Sequence, residues 1–220
     1  LETFIHNIFK EGDGYIELRP CRDRGTGIDN RARRWFATPT EFIEKAPQVI
    51  DYCRRKYLGC FIGLLPREQA GKGTAEFVGF GRVVWADLDA KDYAGGKKEA
   101  LEQIHTLTPT PSAVVESGGG YHIYYFLSEP TAPDTIETIN KRLANNVGAD
   151  HCHDRARVLR LPLSYHCKTE KLYQLRFVTL SNDTHNASGL LDAWPACETE
   201  QPKIQYNAVK DIPKASLSAN

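Results

Sequence analysis

Val83-Val84-Trp85-Ala86-Asp87-Leu88-Asp89 is an apolar run that ends in two carboxylates, and reading it as a strand decides the fold class. Side chains alternate between the two faces of a strand, so Asp87 and Asp89 point one way while Val84, Ala86 and Leu88 point the other. Two acids at that spacing repel one another, and a bound hard cation or a shared proton relieves the repulsion. The plainer alternative is an Asp-rich strand exit in which one acid caps the turn.

The neighbouring segments alternate helix and strand around this run. Upstream, residues 15–18 read as a strand that Arg19-Pro20 ends, and residues 21–30 read as a loop. Thr38-Pro39-Thr40-Glu41 predicts a helix start, with Thr38 as N-cap, Pro39 at the first position and Glu41 closing a capping box. The helix should be interrupted or restarted near Pro47 and run to about Lys56. Residues 59–65 fit a buried strand, and residues 70–74 fit a turn, since the early glycine of a Walker loop is missing.

Downstream, Ala100, Leu101, Ile104 and Leu107 give residues 97–107 a helical period. Residues 112–116 and 121–127 read as two strands joined by the Ser117-Gly118-Gly119-Gly120 turn, an antiparallel hairpin. Residues 133–147 form a helix with Ile136, Ile139, Leu143 and Val147 on one stripe and Gly148 past its end. Residues 157–161 and 173–180 are the last strands. Beyond Asn182 the composition turns polar, so residues 1–180 are expected to form the folded domain and residues 181–220 a linker or tail.

The chain has 220 residues, and its 28 basic and 28 acidic side chains leave no net charge. Neutrality excludes a chain that binds polyanions through bulk charge, but not local cationic grooves. Arg19, Arg22, Arg24, Arg31, Arg33 and Arg34 crowd the first 35 residues, and Arg155, Arg157 and Arg160 cluster later. Six cysteines are present without a C-x-x-C pair, and the spacing of His151, Cys152, His153, His166 and Cys167 does not match the common structural zinc patterns. Reduced thiols are expected. No apolar run is long enough to span a bilayer and no signal segment opens the chain, so no membrane association and a cytoplasmic location are the default expectations. Methionine is absent, even at position 1. Together with the polar tail, this is what a domain taken from a longer chain would show.

Three polar signals fall at strand ends or turns of this α/β unit. Asp87 and Asp89 end one strand. The glycine turn between Ser117 and His122 lets backbone N–H groups approach an anion. Asp150 follows a helix end and precedes the arginine-rich stretch Arg155-Ala156-Arg157-Val158-Leu159-Arg160. A site for a metal-bound triphosphate needs acids for the cations and cations for the phosphate oxygens. A surface network of salt bridges would use the same charges.

The ordered set Asp87-Leu88-Asp89, Ser117-Gly118-Gly119-Gly120-Tyr121-His122, Gly148-Ala149-Asp150 and Arg157-Val158-Leu159-Arg160-Leu161-Pro162 resembles the archaeo-eukaryotic primase superfamily. The likeness is closest to its primase-polymerase and RepB-like branch. Tyr15-Ile16-Glu17-Leu18-Arg19 and Gly63-Leu64-Leu65-Pro66-Arg67 also resemble pieces of that branch, and the likeness covers about residues 14–178. It implies an α/β (α+β) fold in which an N-terminal α/β subdomain packs on an RRM-like subdomain. It implies a DNA primase-polymerase, a nucleotidyltransferase using two Mg²⁺ or Mn²⁺ ions to extend a primer strand on single-stranded DNA with NTPs or dNTPs, with possible de novo priming. Asp87, Asp89 and Asp150 would bind the ions and act in catalysis. Ser117 and His122 would contact the nucleotide, with Arg67, Arg160 and Lys168 as cationic partners. The stretch 161–168 departs from the branch's usual Pro-Gly-Thr followed by Asn. The template would lie along a groove for which Arg33-Arg34-Trp35-Phe36 is a candidate. A C-terminal priming module or a helicase is an expected partner, in replication of a plasmid, phage or similar element. A metal-dependent nuclease and a replication-initiator or nucleic-acid-binding module with an inactive site are the rival readings.

Overall fold

The computed structural model describes residues 1–22, 27–150, 152–167 and 172–196. Strands are β1 (Ile16–Cys21), β2 (Arg34–Phe36), β3 (Gly59–Gly63), β4 (Gly81–Asp89), β5 (Ala113–Glu116), β6 (Gly120–Thr131), β7 (Val158–Arg160), β8 (Tyr165–His166), β9 (Tyr173–Gln174), β10 (Arg176–Leu180) and β11 (Thr184–His185). Helices are α1 (Glu2–Ile8), α2 (Pro39–Lys56), α3 (Gly96–Thr106), α4 (Pro133–Val147) and α5 (Ala187–Ala193).

Two sheets organise these elements. The first has the order β2-β1-β3-β7, all pairs antiparallel, and packs against α2. The second is built on the long β6, which pairs with β4 along one edge and with β5 along the other. β10 adds outside β5, and the short β11 pairs parallel to β6 beyond the end of β5. The two-strand ribbon β8-β9 forms a small sheet of its own, with β8 against α2 and β3. The α/β architecture with an N-terminal sheet unit and a second, mostly antiparallel sheet is the one expected.

The side chains of β6 divide the second core. Tyr124 and Phe126 meet Phe4 of α1, at ring separations of 5.0 and 6.0 Å. Tyr125 points to the opposite face and meets Trp194 edge-on at 4.9 Å, beyond the end of α5, which itself packs on α4. Trp85 of β4 is buried, and its indole N–H donates to the Cys152 carbonyl at 2.7 Å.

The helix starts follow their sequence signals. Thr38 Oγ1 accepts from Glu41 N–H at 3.1 Å, and the Glu41 carboxylate accepts from Ala37 N–H at 3.0 Å. Such a cap is worth ~1 kcal/mol. α4 begins at Pro133 and ends at Gly148, whose φ of 65° is left-handed.

Three local expectations are corrected. α2 runs through Pro47 without a break. A proline removes one rung of the helix, and the burial of Phe42, Ala46 and Cys53 along one face holds the helix together on both sides of it. β1 continues past Arg19-Pro20 to Cys21, because Pro20 lies beyond the last β1–β2 pair, Leu18 with Arg34, where a missing N–H breaks no rung of that ladder. The stretch after Asn182 contains β11 and α5, with Leu190 and Trp194 buried. A polar composition concealed two large apolar anchors.

Candidate active site

The register of β4 on β6 sets Asp87 opposite His122 and Asp89 opposite Gly120. The glycine turn therefore meets the strand end that carries the acids. A Cβ on Gly120 would overlap the Leu88 carbonyl oxygen, so only glycine permits this approach. Ser117 N–H donates to the Gly120 carbonyl at 2.9 Å, and Ala90 N–H donates to the Gly119 carbonyl at 3.0 Å. These two bonds close the turn and tie it to the residue after Asp89.

A cleft of about 600 Å³ opens on this side of β4, with Asp87, His122, Arg19, Phe61, Arg157 and Arg160 among its lining residues. His122 is buried and its Nε2 lies 3.6 Å from Asp87 Oδ1. Nδ1 is 3.2 Å from the Tyr124 hydroxyl. Burial pushes the imidazole pKa down; the Asp87 carboxylate opposes this and Arg160 reinforces it. The ring is neutral at physiological pH, so it offers the cleft a hydrogen bond rather than a charge. Arg160 stands with its guanidinium 5.2 Å from the Phe61 ring centre.

Asp150 joins the two strand acids through the main chain. Its N–H donates to the Asp87 carbonyl at 3.1 Å, and its own side chain is exposed. Asp89 is half-buried. Its carboxylate receives Lys91 Nζ at 2.6 Å and Lys91 N–H at 3.2 Å. Among the described residues, no three His, Cys, Asp or Glu side chains gather closely enough to hold an ion as they stand. The donors nevertheless fit a hard divalent cation: they are all carboxylate oxygens, and a lysine ammonium already rests on one of them as a positive stand-in. An ion shared by all three carboxylates would have to displace Lys91 from Asp89.

The other expected site residues fall in different places. Ser117 is buried in the turn and does not line the cleft. Arg67 is also fully buried, which corrects its expected role as a cleft cation. Its Nε donates to Glu17 at 3.2 Å, Nη1 to the Leu65 carbonyl at 3.2 Å and Nη2 to the Ala156 carbonyl at 3.1 Å. A guanidinium so engaged braces the first sheet from within. Lys168 and His151 lie outside the described residues. The segment Arg33-Arg34-Trp35-Phe36 does not present one groove, because strand alternation splits it. Arg33 turns to Glu17 and lies over Trp35 at 4.7 Å, while Arg34 and Phe36 line a separate hollow with Tyr52.

Sequence reasoning missed two carboxylates. Glu17 is fully buried and takes three arginines; the signal was an acid flanked by alternating apolar residues in a strand. Glu116 directly precedes the glycine turn and accepts from Lys97 Nζ at 2.8 Å and Arg176 Nε at 2.7 Å. Burial alone would raise its pKa, but hydrogen bonds from Lys97, Tyr173 and Arg176 outweigh that and lower it to about 2.

No protein-family model matches this sequence. No curated protein matches it either. Solved structures do. The AEP domain of the cyanophage S-2L primase-polymerase (PrimPol) superposes with a TM-score of 0.60 at 16% identity, covering 83% of this chain and 90% of that one. The catalytic domain of primase Repb′, solved in complex with initiator DNA, superposes with a TM-score of 0.56 at 17% identity, covering 83% of this chain and 87% of that one. A structure of primase RepB′ matches with the same TM-score and identity, and this chain covers 58% of it. The chain shares the fold of these primase and primase-polymerase domains. No helix among the described residues is long and apolar enough to cross a membrane.

Proposed function

We propose that this chain is a nucleotidyltransferase, the catalytic domain of a primase-polymerase that extends a primer on a single-stranded DNA template. The observation that carries the reading is the pair Asp87 and Asp89 on one face of β4, with Asp87 lining the same cleft as the buried His122 and the cation Arg160. A nuclease also uses clustered acids, but it has no need to bind a nucleoside triphosphate, so nucleotide binding separates the two.

In this reading Asp87, Asp89 and Asp150 hold two Mg²⁺ or Mn²⁺ ions. Bound there, the ions would supply Lewis-acid activation of the attacking 3′-hydroxyl and neutralise charge on the leaving pyrophosphate. His122 offers the incoming triphosphate a ring N–H and keeps its geometry because the Tyr124 hydroxyl fixes the other nitrogen. Arg160, oriented by Phe61, meets phosphate oxygens as a planar fork. Ser117 acts from inside the turn, where its N–H bond to the Gly120 carbonyl holds the turn that meets the acid-bearing end of β4. The neighbour solved with initiator DNA supports a DNA strand as partner.

The test is a primed single-stranded template incubated with labelled NTPs or dNTPs and Mn²⁺ or Mg²⁺, beside the Asp89→Ala variant. Template-dependent extension lost in the variant is expected, and unprimed templates then test initiation. Metal-dependent shortening of the primer would replace the polymerase with a nuclease. DNA binding without either product would leave a binding module.

A further inference from the structure

Beside the catalytic cleft, Glu17 collects more positive charge than it neutralises. Arg19 clamps it with two bonds, Nε to Oε1 at 2.7 Å and Nη2 to Oε2 at 3.0 Å. Arg33 Nε reaches Oε1 at 2.8 Å, and the buried Arg67 takes Oε2. Among the described residues, three guanidinium charges meet this one carboxylate, a surplus of two. A partly desolvated surplus of this kind is costly unless an anion completes it. Burial, then repulsion from Arg19 and Arg33 acting against the attraction of Glu17, pushes the Arg67 pKa down.

The surplus is reachable. Arg19 and Arg33 each keep 18% of their side chains exposed, and none of the Glu17 bonds uses Nη1 of either. The loop carrying Gly73 lies directly against them. A Cβ on Gly73 would overlap Arg33 Nη2 and come to 3.0 Å from both Arg19 Nη2 and Glu17 Oε2. Arg19 lines the catalytic cleft and also two adjoining hollows, of about 440 and 390 Å³. Arg157 lines the first of these, held by Asp154 at 2.6 Å; Arg33, Lys72 and Glu76 line the second, with Glu76 accepting from Thr74. Aromatic rings accompany the cations: Trp35 under Arg33 at 4.7 Å and Phe77 under Lys72 at 5.4 Å.

We propose that Arg19, Arg33 and Lys72, arranged around Glu17 and the Gly73 loop, form a phosphodiester-binding track that carries a single nucleic-acid strand away from the catalytic cleft. A nucleotide fills one pocket. Successive hollows joined through a shared arginine, with rings beside the cations, fit a polymer of regularly spaced phosphates and stacking bases. Glu17 serves as a positioning residue that holds two guanidinium groups in a fixed orientation. Assigning the strand as the template rests on the polymerase reading above, whereas the track itself rests on this geometry alone.

The experiment measures binding of a fluorescein-labelled oligo-dT by anisotropy across a salt series for the wild type, Arg33→Ala and Lys72→Ala, with a labelled nucleoside triphosphate measured in parallel. Lys72 is exposed, so its variant keeps the fold even where Arg33→Ala weakens it. Losing one phosphate contact makes the log–log salt slope shallower by about 0.7, roughly a 2.6-fold smaller loss of affinity between about 50 and 200 mM salt. That change, with triphosphate binding unaltered, is expected for Lys72→Ala, and for Arg33→Ala wherever it folds. Unchanged slopes for both variants would overturn the track. Weakened triphosphate binding in step with the oligonucleotide would overturn it too, in favour of a nucleotide site. A wild type that binds oligo-dT with these dependences yet extends no primer would refute the polymerase and leave the track standing.

Discussion

Glu116→Gln tests whether the glycine turn is braced from behind by charge. Glu116 is 9% exposed and accepts from Lys97 on α3, Tyr173 on β9 and Arg176 on β10. A folded pKa of about 2, against an ordinary 4.5, corresponds to about 3 kcal/mol of native-state stabilisation at neutral pH. Its cationic partners are more open, Arg176 at 71% and Lys97 at 36%, so solvent screening reduces this to about 1–2 kcal/mol. Because the folded pKa is the depressed one, the stabilisation is complete above pH 4.5 and is lost as the pH falls towards 2. Urea unfolding of wild type and variant at about pH 7, 4.5 and 3 reads this directly. The variant should be weaker by about 1–2 kcal/mol at pH 7, with more than half of the gap gone by about pH 3. Equal stabilities at pH 7, or a gap that does not narrow on acidification, would refute the argument.

Two further outcomes follow from contacts already described. Lys91→Ala removes the ammonium from Asp89 and should tighten Mn²⁺ binding by roughly 2- to 5-fold in isothermal titration; unchanged or weaker binding would remove Asp89 from the cation site. Trp194→Ala deletes a buried indole packed on Tyr125 and should cost about 3–5 kcal/mol in chemical denaturation, and a loss under ~1 kcal/mol would show that α5 adds little to the core.

Much of the architecture was legible because local chemistry announced it. Thr38-Pro39-Thr40-Glu41 opened α2, Pro133 and Gly148 bracketed α4, and the alternation before Asp87 and Asp89 located β4 to within a few residues. Long-range pairing was less visible. That Arg67 would turn inward depended on Glu17 lying beneath it, 50 positions away in the chain. Arg33-Arg34-Trp35-Phe36 was treated as one patch although the pleat of β2 assigns its members to opposite sides. Trp194 was overlooked because isolated apolar residues in a polar stretch carry no period. Asp87 and Asp89 were found by spacing and the role of Asp150 by the resemblance, whereas the lysine resting on Asp89 came only from geometry.

Asp150 and Cys152 are both fastened to β4 through their main chains, one by its N–H to the Asp87 carbonyl and the other by its carbonyl to the Trp85 indole. Neither bond depends on which side chain Asp150 or Cys152 carries, although the second needs the Trp85 indole. The strand end can therefore hold this segment in register while the residues along it drift, and evolution is left free to rewrite the stretch around the third carboxylate. Such indifference offers one physical route by which chains only 16–17% identical keep a common shape.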